Sequence, residues 1–304
     1  MSSEVLPARR LMLVHAHPDD ETIGNGVTMA RYADEGAAVT LVTCTLGEEG
    51  EVLVPELAHL GAEHDDDLAP QRLRELTDAM GILGVDDFVR LGGDGRYRDS
   101  GMAYDDRGLA TARDVLRHDI FWTADLLEAA NTLVPLIRDR RPQVLVTYDE
   151  IGGYGHPDHV QAHRVAMYGY LLAGVPGYRL DLGDPWTVDR VLWGTMSRSR
   201  MMESITALRE AGDTETFKGF EEMADSPMIS ADSDIVVAID GTPWVSRKLD
   251  AMRAHATQIL PDGTFFAGGR MSVDTMWSHE FYRFAAGTPL EGDGWADDLF
   301  AGLV

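Results

Sequence analysis

The sequence predicts an α/β fold, a mainly parallel, Rossmann-like sheet flanked by helices, followed by a smaller C-terminal α/β part. Two observations predict it. Short β-rich runs alternate with helix-period segments through the first half of the chain, the pattern of a parallel sheet with crossover helices. Between Gly174 and Pro185 the composition then shifts to Gly, Pro and Asp, which divides the chain into residues 1–180 and 181–304.

Each element follows in order. Leu11-Met12-Leu13-Val14 reads as a buried strand, Ile23, Val27 and Ala30 keep helical spacing up to Gly36, and Val39 to Thr43 reads as a second strand, completing a βαβ unit. Ala69, Leu73, Leu76, Met80 and Leu83 line one helical face before Gly84, and the apolar run Phe88-Val89 with Leu91 follows. Leu126, Ala130, Leu133 and Ile137 form another helical stripe, in which Pro135 predicts a kink because it removes a backbone donor. Val144 to Tyr148 is the clearest interior strand and leads through Asp149 into a Gly-rich loop. Beyond the boundary come a strand at Val191-Leu192-Trp193, a helix near Ile205 to Arg209, a strand at Ile235 to Ile239 and a helix from about Trp244 to Ile259.

Composition narrows the function. A chain of 304 residues with 44% hydrophobic content supports a sizeable core. Twenty-six basic residues against fifty-one acidic ones leave a net charge of −25, which repels phosphate backbones and anionic membranes and argues against nucleic-acid and membrane partners. Cys44 is the single cysteine, so no intrachain disulfide forms. With no signal-peptide core and no run of about 18 apolar residues, a cytoplasmic protein is expected. A Gly-x-Ser-x-Gly elbow and a P-loop are absent, and Gly24-Asn25-Gly26 lacks the third glycine of a dinucleotide fingerprint, Met29 standing there instead.

The chemistry is concentrated in two tetrads, His17-Pro18-Asp19-Asp20 and His156-Pro157-Asp158-His159. Alone, His17 reads as a loop histidine and Asp19-Asp20 as an ordinary helix N-cap. As a pair the tetrads say more, because each follows a predicted strand end, the edge at which open α/β sheets place their ligand crevice. Imidazole and carboxylate are the ligands of a zinc-type ion, and three of them leave one position open for water. His17, Asp20 and His159 offer such a set. Adjacent Asp19 and Asp20 point differently, so spacing alone leaves open which one binds metal and which is free for proton work. His156 and Tyr154 stand nearest in sequence to the third ligand as proton carriers or oxyanion donors.

At these motifs the chain resembles the zinc-dependent deacetylases of the LmbE-like (PIG-L) family. The resemblance is carried by His15-Ala16-His17-Pro18-Asp19-Asp20-Glu21, by Thr43 to Glu51, by Arg98 to Met102, by Gly152 to His159 and by His255-Ala256-Thr257-Gln258. It implies that His17, Asp20 and His159 bind one Zn2+ per subunit, Fe2+ being the alternative, and that Asp19 activates the water. It further implies that His156 and a mobile Tyr154 stabilise or protonate the intermediate, that Asp158 orients His156, and that Arg72 and Asp99 contact sugar or inositol hydroxyls. The implied substrate is a small N-acetylated amino sugar, specifically the acetamide of an N-acetylglucosaminyl-inositol on the route to mycothiol. The rival amidases of mycothiol S-conjugates usually carry a lysine just after the first tetrad and a proline in the loop before the second. Here Thr22 to Gly26 holds no lysine and position 155 is Gly155, which favours the deacetylase. Ile151 departs from the polar residue usual in that loop. A metal-stabilised sugar-binding module is the alternative outside enzymes, and intact Asp19 argues against it.

Overall fold

A computed structural model describes residues 6–106, 108–215, 228–266 and 276–303. Arg10–His15 forms β1, Asp20–Asp34 forms α1 and Ala38–Thr43 forms β2, the first βαβ unit. Leu68–Leu83 forms α2, ended by Gly84 in the left-handed conformation, and Asp87–Arg90 forms β3. Ala103–Tyr104 (β4) and Ala110–Thr111 (β5) make a small hairpin. The helix α3, Leu126–Arg140, starts on the Asp125 carboxylate, which accepts the Glu128 N–H at 2.8 Å, and it continues through Pro135 as one helix. Val144–Thr147 is β6, Gly152–Gly155 is a single turn, α4, and Pro157–Ala173 is α5.

The part from residue 181 onward adds its strands to the same sheet. Arg190–Ser197 (β7), Ile235–Asp240 (β9) and His279–Gly287 (β10) give the order β3-β2-β1-β6-β7-β10-β9, while Ile229–Ser230 (β8) pairs with the end of β7. The pairings from β3 to β7 are parallel, and β10 runs antiparallel to both of its neighbours. Arg198–Glu210 is α6, and Val245–Ala254 is α7, shorter at its C-terminal end than the sequence predicts.

Alternation along β1 divides the core. Leu11 and Leu13 face a layer built with Met29 of α1, Leu76 and Met80 of α2 and Ala251 of α7. Met12 and Val14 face the opposite layer, with Leu133 and Ile137 of α3 and Val165 of α5. Helices therefore cover both faces, as the apolar strands require. The chain leaves β1 toward β2 on one side and returns as β6 on the other, so the carboxyl ends of β1 and β6 flank a topological switch point.

Candidate active site

Both tetrads sit at that switch point. The first follows β1 directly, and the second opens α5, with His156 as its N-cap and Pro157 at its first position. The Oδ2 atom of Asp20 is where the groups meet: His17 Nδ1 lies 3.2 Å from it and His159 Nε2 lies 3.3 Å from it. The same oxygen accepts the His17 peptide N–H at 3.0 Å and the Tyr148 hydroxyl at 2.8 Å. His159 Nδ1 is 3.2 Å from the Gly152 carbonyl, which fixes its proton there and leaves Nε2 with a free lone pair. That Nε2 is buried and makes no hydrogen bond. Two imidazole nitrogens and one carboxylate, one nitrogen orphaned and aimed at the others, fit a divalent metal of the zinc type.

Charge points the same way. Burial disfavours the His17 imidazolium, but Asp99, Asp158 and Asp20 outweigh burial and raise its pKa well above the ordinary value. The site therefore carries surplus negative charge that a cation neutralises. His17, His156 and His159 also have nitrogens within 4.8 Å of one another, so His156 is a geometric rival to Asp20 as third ligand.

Asp19 has a positive φ, 109° with ψ −37°, and its side chain makes no capping bond. Its carboxylate instead accepts Arg72 Nη2 at 2.9 Å. Burial lifts its pKa to about 6, with Arg72 pulling down and Asp20 pushing up, a range suited to taking a proton near neutrality. His156 Nδ1 accepts the Asp158 peptide N–H at 3.1 Å, which leaves the ring proton on Nε2. Burial, with help from His17 and His159, lowers the His156 pKa to about 2, so this ring is a neutral hydrogen-bond donor. Tyr154 stands between Gly153 and Gly155, both at positive φ, with its ring 4.9 Å from that of His159 and 6.1 Å from that of His156.

The geometry bears on three further residues. The Asp158 carboxylate does not orient His156: its Oδ2 accepts Ser100 N–H at 2.8 Å and lies 3.4 Å from His17 Nε2, and its Oδ1 accepts the Ser100 hydroxyl. Only the Asp158 backbone serves His156. Arg72 lines the cavity but is buried and bonded to Asp19, to the Pro18 carbonyl and to the Gly47 carbonyl, so it reaches Asp19 before any sugar. Asp99 lines the cavity too, accepts the Gly101 and Glu49 peptide N–H groups and lies 3.6 Å from His17 Nε2.

Sequence reasoning missed Tyr148, Glu21 and Ser100. Tyr148 reads as the end of a strand, and Glu21 and Ser100 stand in the motifs of the resemblance with no role of their own. Tyr148 lines a cavity of about 1500 Å³ whose wall also carries Met196, Met201, Ile259, Phe265, Trp277 and Phe281, while Glu21 and Ser100 bond to Asp19 and Asp158 behind it.

A family model described as PIG-L, GlcNAc-PI de-N-acetylase, matches residues 12–169. A protein of Kribbella flavida named 1D-myo-inositol 2-acetamido-2-deoxy-alpha-D-glucopyranoside deacetylase is 56% identical over 98% of this chain and 99% of its own length. A protein of the same name from a Nocardioides species is 55% identical over 97% of this chain and 99% of its own. Among solved structures, N,N'-diacetylchitobiose deacetylase from Pyrococcus horikoshii superposes with a TM-score of 0.59 at 20% identity, covering 91% of this chain and 84% of its own, a likeness of fold. Fold and site define a metal-site α/β protein of the deacetylase type. The chain belongs to the PIG-L family.

Proposed function

We propose that this protein hydrolyses the acetamide of 1D-myo-inositol 2-acetamido-2-deoxy-α-D-glucopyranoside to the free amine and acetate, using one zinc ion held by His17, Asp20 and His159. The observation that carries the reading is the convergence of His17 Nδ1 and the orphaned His159 Nε2 on Asp20 Oδ2, with the Asp19 carboxylate next in sequence. The substrate rests on the names of relatives that match nearly end to end. Zinc, when bound, lowers the pKa of a water to about 7 and polarises the acetamide carbonyl. Asp19 takes the proton of the attacking water and later delivers it to the departing amine. His156 Nε2–H and Tyr154 donate to the oxyanion of the tetrahedral intermediate. Arg72 holds Asp19 in line, while Asp99 and residues 181–304 complete the pocket around the sugar, a role supported by Met196, Trp277 and Phe281 in its lining.

Imidazole and carboxylate ligands suit ferrous iron as well, so metal analysis of anaerobically prepared protein belongs beside the assay. The assay follows primary-amine release from the N-acetylated pseudodisaccharide with and without chelator. Release that stops on chelation and returns with zinc is expected; no release by metal-loaded protein sinks the reading. The size of the cavity and the apolar side chains in its lining favour a second reading, amidase action on larger S-conjugates, which preferential cleavage of such a conjugate would promote. In Asp19→Asn the metal stays bound and turnover falls about 10²- to 10⁴-fold, read by metal content and initial rate. The single cysteine supports a reducing, cytoplasmic setting, and no helix among the described residues is long and apolar enough to cross a membrane.

A further inference from the structure

Asp19 holds a backbone conformation that aspartate adopts rarely, and no capping bond of its own stabilises it. What holds it comes from elsewhere. Glu21 Oε2 accepts the Asp19 peptide N–H at 3.0 Å. Glu21 is fully buried, and its other oxygen accepts the Thr22 hydroxyl at 2.7 Å and lies 3.1 Å from His255 Nε2. His255 is also fully buried, at the end of α7, and its Nδ1 has no partner among the described residues. A neutral His255 ring therefore carries its proton on Nε2, facing Glu21.

We propose that Glu21 and His255 are positioning residues for Asp19, a buried clamp in which the C-terminal helix sets the direction of the catalytic carboxylate. This rests on the reading of Asp19 as the proton acceptor. Side chains from two helices reach Asp19, and one from the end of a third reaches it through Glu21. Arg72 of α2 holds the carboxylate, Glu21 of α1 holds the peptide N–H, and His255 at the end of α7 holds Glu21. The seat of α7 is built for this: Leu249, Met252 and Ile259 pack with Ile23 of α1, and Glu75 of α2 accepts the N–H and hydroxyl of Thr257 at 3.1 and 2.7 Å. The metal ligands are held by other groups, namely Tyr148, Gly152 and Asp158. Loss of the clamp therefore acts on turnover and spares metal binding.

Chemistry dictates the variants. Donors from Asp19, Thr22 and His255 converge on two carboxylate oxygens, and an amide offers only one oxygen. In metal-loaded Glu21→Gln and in His255→Leu, kcat falls at least tenfold while KM and metal content stay within twofold of the parent. His255→Gln, which restores a donor, recovers most of that loss. Should the first two fail to fold, Thr22→Val removes one of the three donors at constant shape and lowers kcat severalfold. A kcat at the parent level in whichever of these variants folds overturns the clamp, and so does activity lost only in proportion to metal. Asp19→Asn is measured in parallel. If it turns over at the parent rate, the Asp19 reading falls and the clamp with it; if it is inactive while the clamp variants match the parent, the clamp alone falls.

Discussion

At the scale of single residues, the hydroxyl of Tyr148 does the least visible work. It donates to Asp20 Oδ2 at 2.8 Å and accepts the Ala16 N–H at 2.9 Å, so it fixes both Asp20 and the turn that carries it. Outer hydrogen bonds of this kind tune metal affinity. Tyr148→Phe weakens metal binding about 10- to 100-fold with the fold retained, which titration with a competing chelator measures. That His17, Asp20 and His159 share one site was legible because imidazole and carboxylate recur at His-Pro-Asp spacing beyond strand ends. Tyr148 was not, since its contact spans 128 residues and leaves no local pattern. The Asp158 carboxylate illustrates the same limit: the family resemblance implied that it orients His156, and the side chain turns to Ser100 and His17 instead. The Glu21–His255 pair was present in the quoted motifs, but only the fold makes the two residues neighbours.

Among the elements, α1 is the most instructive. It departs from helical geometry at Asn25, φ −140°, and the Val27 and Thr28 N–H groups are accepted by Glu280 of β10 at 3.0 and 2.9 Å. Glu280 also pairs with Lys248 Nζ at 2.7 Å, with both side chains buried. Gly26 fits this arrangement, because a Cβ there would come 2.8 Å from Lys248 Cγ. Glu280→Leu leaves a buried ammonium and two peptide donors unpaired and costs about 3–5 kcal/mol, measured by urea unfolding; adding Lys248→Met recovers much of the loss. In α4 the constraint is steric. A Cβ on Gly155, φ 96°, would lie 2.3 Å from the Ala110 carbonyl oxygen. Gly155→Ala therefore pushes the Tyr154 turn off β5 and lowers kcat with metal content unchanged, at a stability cost of about 1–3 kcal/mol. The helices and inner strands were legible from periodicity; β10 was not, because Glu280 and Arg283 interrupt its apolar run and a buried glutamate has meaning only beside Lys248. Pro135 misled in the other direction, since the packing of Leu133, Val134 and Ile137 holds α3 together despite the missing donor.

For the molecule as a whole, the switch point was predictable from the order of strands and helices, and the continuity of the sheet was not. A composition shift at Gly174 to Pro185 looks like a boundary, yet β7 pairs with β6 directly across it. Buried Arg190, the first residue of β7, donates to the carbonyls of Thr288, Leu299 and Ala301 at 2.9, 2.8 and 3.0 Å, tying the last residues to the sheet. A fragment ending at residue 180 leaves β6 as a bare apolar edge. It is expected to aggregate and to show no cooperative thermal transition by circular dichroism; a soluble fragment with a sharp transition would mark an independent domain.

The dependence of α1 on Glu280 has a further consequence during synthesis. Residues 17–21 emerge from the ribosome early, but the carboxylate that seats the helix behind them arrives some 250 residues later. Contacts of such sequence separation form late and slowly. The nascent chain thus carries the residues of the first tetrad long before it can arrange them, and the proposed capture of an ion waits until the antiparallel strand β10 has been made.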